Sequence, residues 1–133
     1  MATIEITTEN LDPTLSNNDI VILDFWAPWC GPCKQFGPIF EAASQSHPDV
    51  VFGKVNTEDE QQLAAVAGIS AIPTIMIFRE TIPVFSHSGA ITKSALDDLI
   101  KQVRQLDMEE VKKQAAAAEK ASAHADQTAT QSD

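Results

Sequence analysis

The run Ile20-Val21-Ile22-Leu23-Asp24-Phe25-Trp26 constrains this 133-residue chain more than any other stretch. Its apolar residues continue without the alternation of a half-exposed strand, the pattern of a central parallel strand covered on both faces. Such a strand needs other strands beside it and helices above and below, which commits the chain to an α/β layer architecture. The run falls well short of the ~18 apolar residues of a membrane span, and no other segment approaches that length. One residue interrupts it. A carboxylate at Asp24 is costly inside an apolar strand unless it finds a partner or keeps its proton.

The flanking segments supply the remaining layers. Residues 3–7 read as a strand, with Ile4 and Ile6 alternating with polar neighbours, and residues 8–17 as a short helix broken by Pro13. Ala27 to Cys33 turns the chain into a helix over about 31–46, with Phe36, Ile39, Phe40 and Ala43 at helical spacing and a kink expected at Pro38. Residues 50–56 make the next strand. Thr57 and Glu60 then match a capping box for a helix that ends before Gly68. Residues 74–79 and 84–87 predict a hairpin around a short turn containing Pro83, although Glu80-Thr81-Ile82-Pro83 lacks the usual Asn-Gly signal. Thr92 opens a last helix, to about Leu106, with Leu96, Leu99, Ile100 and Val103 on one face. The order β-α-β-α-β-α-β-β-α predicts a mixed central sheet of about five strands flanked by about four helices. This domain occupies residues 1–106. Residues 107–133 form an Ala/Lys/Glu-rich extension without a large apolar residue after Val111, expected to be partly helical and to fade into disorder.

Charge narrows the partners. Residues 1–106 carry thirteen acids against six bases and residues 107–133 six against three, so the folded part is itself acidic. Nucleic acid needs a basic stripe, and an anionic membrane surface needs the same, so neither is expected as a partner. The N-terminus shows no basic region followed by an apolar run, which leads to the expectation of a cytoplasmic protein. Thiols stay mostly reduced there, so two cysteines close together suggest chemistry more than a staple.

Those cysteines lie in Trp29-Cys30-Gly31-Pro32-Cys33. Zinc normally takes four ligands, and this chain has no other cysteine and no paired spacing among His47, His87 and His124, so no metal is expected. A structural disulfide across so short a loop would constrain little of the unfolded chain. Cys30 precedes the first turn of a helix, where unpaired N–H groups and the helix dipole favour an anion by up to ~2 kcal/mol. The thiolate is the reactive form of cysteine. Cys33 lies three residues on, within bonding reach. Gly31 and Pro32 suit a helix entry, since Pro has no donor to waste and its φ is already helical. Asp24 is read either as a base for the Cys33 proton or as an inert, hydrogen-bonded residue at a strand end.

Asp24-Phe25-Trp26-Ala27-Pro28-Trp29-Cys30-Gly31-Pro32-Cys33-Lys34 resembles the thioredoxin active-site segment over its whole length. Ile72-Pro73-Thr74 is similar to that family's cis-proline segment, and Ser88-Gly89-Ala90 to the glycine loop that follows it. The resemblance spans about residues 3–106. It implies the thioredoxin fold and a protein disulfide reductase with no bound cofactor, acting as a monomer on disulfide-containing proteins and re-reduced by an NADPH-dependent flavoprotein, thioredoxin reductase. It implies Cys30 as the attacking nucleophile, Cys33 as the resolving thiol, Asp24 as the base and Lys54 beside that aspartate, where Lys54 could otherwise be a snorkelling strand lysine. It implies a cis bond before Pro73, leaving the Ile72 backbone open to an extended substrate, and an apolar rim of Trp29, Ile72, Gly89 and Ala90 next to Gly31 and Pro32. A lowered cysteine pKa is a familiar property of thioredoxins, so the helix-terminus argument is consistent with the resemblance and not independent of it. Ala71 and Ser88 depart from the family pattern, where a glycine and a valine are usual, and bear on partner preference. Two other functions stay open: an oxidase or isomerase using the same chemistry in reverse, and a binding module using the rim alone.

Overall fold

The computed structural model describes residues 2–131, with side chains described as far as Ala121. The central strand is β2 (Ile20–Trp26), and its first six residues are buried. Successive side chains of a strand point to opposite faces. Val21, Leu23 and Phe25 join Ile6 and Val55 in one core cluster, against Leu11, Leu15 and Leu63. Ile20 and Ile22 join Phe36, Phe40, Phe52, Leu96 and Ile100 in the other. Fully burying a large apolar side chain contributes about 1.5–3 kcal/mol, so both faces carry substantial cores. Asp24 has the parity of Ile20 and Ile22, and so faces the second.

The elements follow the predicted order. They are β1 (Thr3–Glu5), α1 (Leu11–Ser16), β2, α2 (Gly31–Ser46), β3 (Val51–Asn56), α3 (Gln61–Val66), β4 (Thr74–Arg79), β5 (Ile82–Ser88) and α4 (Lys93–Arg104), with a fifth helix α5 (Met108–Gln131) in the extension. The sheet order is β1-β3-β2-β4-β5. β3 pairs parallel with β1 and β2, whereas β4 pairs antiparallel with β2 and β5. This is the thioredoxin fold: a mixed five-stranded sheet with helices on its faces. Where β1, β2 and β3 meet, Gly53 is required by close approach, because a Cβ there would lie 2.5 Å from Ile6 Cγ1 and 3.1 Å from Leu23 Cδ2.

Two local expectations are corrected. The capping box does not form: Glu60 is the N-cap of α3 without a side-chain cap bond, and the Thr57 hydroxyl donates instead to the Trp26 carbonyl at 3.0 Å. Pro83 lies inside β5, opposite Phe78, and the turn is made by Glu80 and Thr81 with φ of 49° and 70°. β5 is an edge strand, where a residue without an N–H donor is tolerated, and the register shift beside it leaves Val84 unmatched. Pro38 is accommodated within a helix that runs from Gly31 to Ser46.

The chain divides into two compact units between Val103 and Arg104. In the second, Asp107 Oδ1 accepts from the Glu109 and Glu110 N–H groups at 3.1 and 3.3 Å, capping the start of α5. Acidic Glu109 and Glu110 suit that helix N-terminus. The last two residues, within the stretch expected to fade into disorder, lie outside the described residues, as does the side chain of His124.

Candidate active site

Helix α2 begins where β2 delivers the chain through Ala27-Pro28-Trp29. Cys30 is its N-cap, with extended backbone, and Pro32 occupies the first turn. The two cysteines are joined as a disulfide, with Cα atoms 5.2 Å apart. The Cys33 N–H donates to Cys30 Sγ at 3.2 Å. One of the orphan donors of the helix terminus is thus spent on the sulfur of the first cysteine, and such a donor stabilises negative charge there. Cys30 and Cys33 are both buried, at 5% and 4% exposure, so exposure alone does not rank them. They form a small cluster with Ala27, Trp26 and Ile72.

The Ile72–Pro73 peptide bond is cis. The Ile72 carbonyl oxygen lies 3.8 Å from Cys30 Sγ. Gly89, at φ 102°, donates its N–H to the Pro73 carbonyl at 2.7 Å, tying the loop after β5 to the proline. That left-handed conformation favours glycine. Ala90 follows it, exposed, and Gly31 and Pro32 are exposed along the helix start. Trp29 is 67% exposed, the outward position expected of a rim residue and not of a core one. Thr74 donates its hydroxyl to the Ala71 carbonyl at 2.5 Å. Its single proton is then used, so Ser88, 3.1 Å away, is the donor of the second contact. Both unusual residues of the loop pair are therefore linked through Thr74.

On β2, ahead of the loop that carries the cysteines, Asp24 is fully buried and neither carboxyl oxygen has a hydrogen-bond partner. Burial pushes its carboxyl up from 3.8 to about 7, against the pull of the Lys54 ammonium. Lys54 is the β3 residue in register with Asp24. Its Nζ sits 4.8 Å from the centre of the Trp26 ring, a cation–π placement. A depression open to solvent is bounded by Trp26, Cys33, Gly37, Glu41, Lys54 and Thr3. Gly37 and Glu41 were not singled out from the sequence. Their signal was available as the i, i+4 row Cys33, Gly37, Glu41, which places all three on one face of α2.

Two of the histidines are engaged elsewhere. His47 pairs with Asp97 at 2.8 Å, and His87 stacks on Phe85. Among the described residues no cluster of His, Cys, Asp or Glu could hold a metal ion, and no helix is long and apolar enough to cross a membrane.

Comparison with known proteins agrees with this geometry. The sequence pattern of the family described as Thioredoxin matches residues 2–102. A protein described as "Putative thioredoxin 2" from Streptomyces coelicolor is 55% identical over 112 residues, covering 84% of each chain. "Thioredoxin C-3" from Corynebacterium nephridii is 37% identical over 100 residues, covering 74% of this chain and 69% of the relative. Among solved structures, a mutant thioredoxin from Halobacterium salinarum superposes with a TM-score of 0.73 at 32% identity, covering 78% of this chain and 91% of that one. The Plasmodium falciparum thioredoxin superposes with a TM-score of 0.69 at 33% identity, covering 75% and 97%. With a Cys-Gly-Pro-Cys disulfide at the N-terminus of a helix on this fold, the chain belongs to the thioredoxin family of thiol–disulfide oxidoreductases.

Proposed function

We propose that the chain is a protein disulfide reductase in which Cys30 attacks and Cys33 resolves. The observation that carries this reading is the Cys33 N–H directed at Cys30 Sγ from the helix terminus, which favours the Cys30 thiolate. In the dithiol form, that thiolate attacks one sulfur of a substrate disulfide. A mixed disulfide forms and the first substrate thiolate leaves, to be protonated by solvent. Asp24, ionised, takes the Cys33 proton, directly or through water. The Cys33 thiolate then attacks Cys30 Sγ, closing the intramolecular disulfide and expelling the second substrate thiolate. Two electrons have passed to the substrate.

The buried, unpartnered carboxyl at about 7 supports the base assignment, because a base is most effective when its pKa lies near the working pH. Lys54, in register with Asp24, limits how far burial raises that carboxyl. Trp29, Gly31, Pro32, Ile72, Pro73, Gly89 and Ala90 form the substrate platform in this reading. Exposed Trp29 supplies apolar area, and the Ile72 backbone, close to Cys30, is offered to an extended substrate segment. The electron source is an NADPH-dependent thioredoxin reductase, and the compartment is the reducing cytoplasm, where a dithiol is maintained. The protein acts as a monomer and needs no bound cofactor.

Insulin reduction in the presence of NADPH and a thioredoxin reductase tests this. The parent protein turns over, Cys30→Ser abolishes turnover, and Cys33→Ser accumulates a mixed disulfide with the substrate. No turnover by the parent overturns the reductase reading, and a reduction potential close to that of strong oxidants assigns the opposite direction.

A further inference from the structure

The depression beside the disulfide holds a carboxylate that the redox cycle does not use. Glu41 lies one helical turn beyond Gly37 and two beyond Cys33, on the same face of α2. Helical side chains lean toward the N-terminus, so Glu41 leans toward Gly37. The Lys54 ammonium is there: a Cβ on Gly37 would lie 3.8 Å from Nζ. The missing side chain leaves a notch for that charge. Glu41 is also held in place. The Thr3 hydroxyl donates to Oε2 at 2.7 Å and the Ala2 N–H to Oε1 at 3.2 Å, both from the segment that forms β1.

We propose that Glu41 is a positioning residue: clamped by Ala2 and Thr3, its carboxylate shares the Lys54 ammonium with Asp24 and thereby raises the proton affinity of the buried carboxyl. The inference rests on Asp24 as the base of the proposed cycle, and deepens that assignment. The Lys54 charge acts on two acids that have unequal means of satisfaction. Glu41 has two donors of its own, whereas Asp24 has none and lies fully inside. The hydrogen bonds from Thr3 and Ala2 hold the Glu41 carboxyl below the ordinary carboxylate range against the opposing effect of desolvation, with the N-terminal ammonium and then the Lys54 charge adding to them, so it is an anion throughout the working range of pH. A fixed anion near the lysine offsets part of the positive potential that would otherwise drive Asp24 to ionise.

The other charged groups around the pair are few. Lys54 comes from β3, Cys33 and Lys34 border the depression from α2, and Glu5 stands on β1 in register with Lys54. Glu5, Lys54 and Asp24 thus form one row across three strands. Glu5 carries the same charge as Glu41 and lines a second depression with Lys54 and Trp26, so it is the rival carboxylate against which Glu41 is compared.

The test follows the Asp24 carboxyl itself by carbon-13 NMR titration of the full-length oxidised protein. Glu41→Gln lowers the Asp24 proton affinity by roughly threefold or more, the size expected of one partly screened charge at this range. Thr3→Val, which keeps the charge but removes one arm of the clamp, moves it the same way by less. Glu5→Gln moves it less than Glu41→Gln. In a Lys54→Met background, the Glu41→Gln effect falls to half or below. The acid limb of the turnover profile shifts to lower pH together with the titration. An unmoved Asp24 in Glu41→Gln overturns the inference. So does an equal shift with and without Lys54, which reports general charge and not a shared ammonium, or an equal shift from Glu5→Gln, which leaves Glu41 no distinct place beside Lys54. Asp24→Asn separates this from the base assignment. If its turnover keeps the parental acid limb, Asp24 is not the base, while the titration still reads the Glu41 effect.

Discussion

Two aspartates of this scaffold are treated oppositely. Asp24, inside β2, is fully buried without a hydrogen bond, and its carboxyl is pushed up to about 7. At the C-terminal end of α2, His47 is the C-cap and meets Asp97 of α4 at 2.8 Å, while Lys93 reaches the other oxygen at 2.9 Å. Burial alone would raise the Asp97 carboxyl, but the hydrogen bonds from Lys93 and His47 outweigh it and hold the group below its ordinary value. One residue type on one scaffold thus titrates near neutrality or stays an anion. Depth of burial and supplied donors decide together: Asp24 is deep and has none, whereas Asp97 is half-exposed and has two.

Asp24→Asn gives the largest effect. In the folded protein the carboxyl titrates near 7, and in the unfolded chain near 3.8. Between those values the folded state holds a proton that the unfolded state has lost, so stability falls as pH rises through this window and the full penalty is present above 7. The variant is therefore more stable than the parent at pH 8 by up to about 4 kcal/mol, at about 1.4 kcal/mol per pKa unit, and equally stable near pH 4. Urea unfolding at the two pH values measures this, and parallel curves at both would erase the contrast between the aspartates. Turnover falls on the order of tenfold to a hundredfold in the same variant, from loss of the base.

Asp97→Asn has the opposite sign and a smaller size. Its carboxyl is held low when folded, so it stabilises at neutral pH and loses that contribution as pH drops through its folded value. The half-exposed cluster is worth about 0.5–1 kcal/mol, and insulin reduction is unchanged. A change in the acid limb of turnover would show that the two aspartates communicate. Salt sharpens the comparison with the smallest effect. Raising ionic strength from 0.1 to 1 M removes a few tenths of a kcal/mol from the Asp97 contribution, and the Asp24 titration moves less, because buried charges are screened less.

How far the sequence could be read depended on where each signal was satisfied. The β2 run, the α2 start and the proline and glycine loops were legible because their information is local: an apolar run, a motif, a residue with restricted φ. The order of elements followed from periodicity. The Thr57–Glu60 box matched in sequence and failed in structure because the Trp26 carbonyl, from another strand, took the Thr57 hydroxyl. The hairpin turn was legible, but its narrowing to Glu80 and Thr81 was not, since residues with Cβ atoms rarely adopt positive φ and the tight hairpin imposes it here. Asp24 was conspicuous as a charge in an apolar strand, but whether donors awaited it was not visible until β3 and α2 were in place. Glu41 was only half legible for a similar reason. Its spacing from Cys33 lies on one helix, while Thr3 and Lys54 arrive from two strands.

Thr3 opens an edge strand only three residues long and Ala2 precedes it, yet the two fasten a carboxylate on the helix that bears both sulfurs. Whatever is joined ahead of that strand in a recombinant protein is mechanically coupled to the site's electrochemistry. A purification handle at that end is not a neutral addition, and an untagged chain is the proper reference for any potential measured on this molecule.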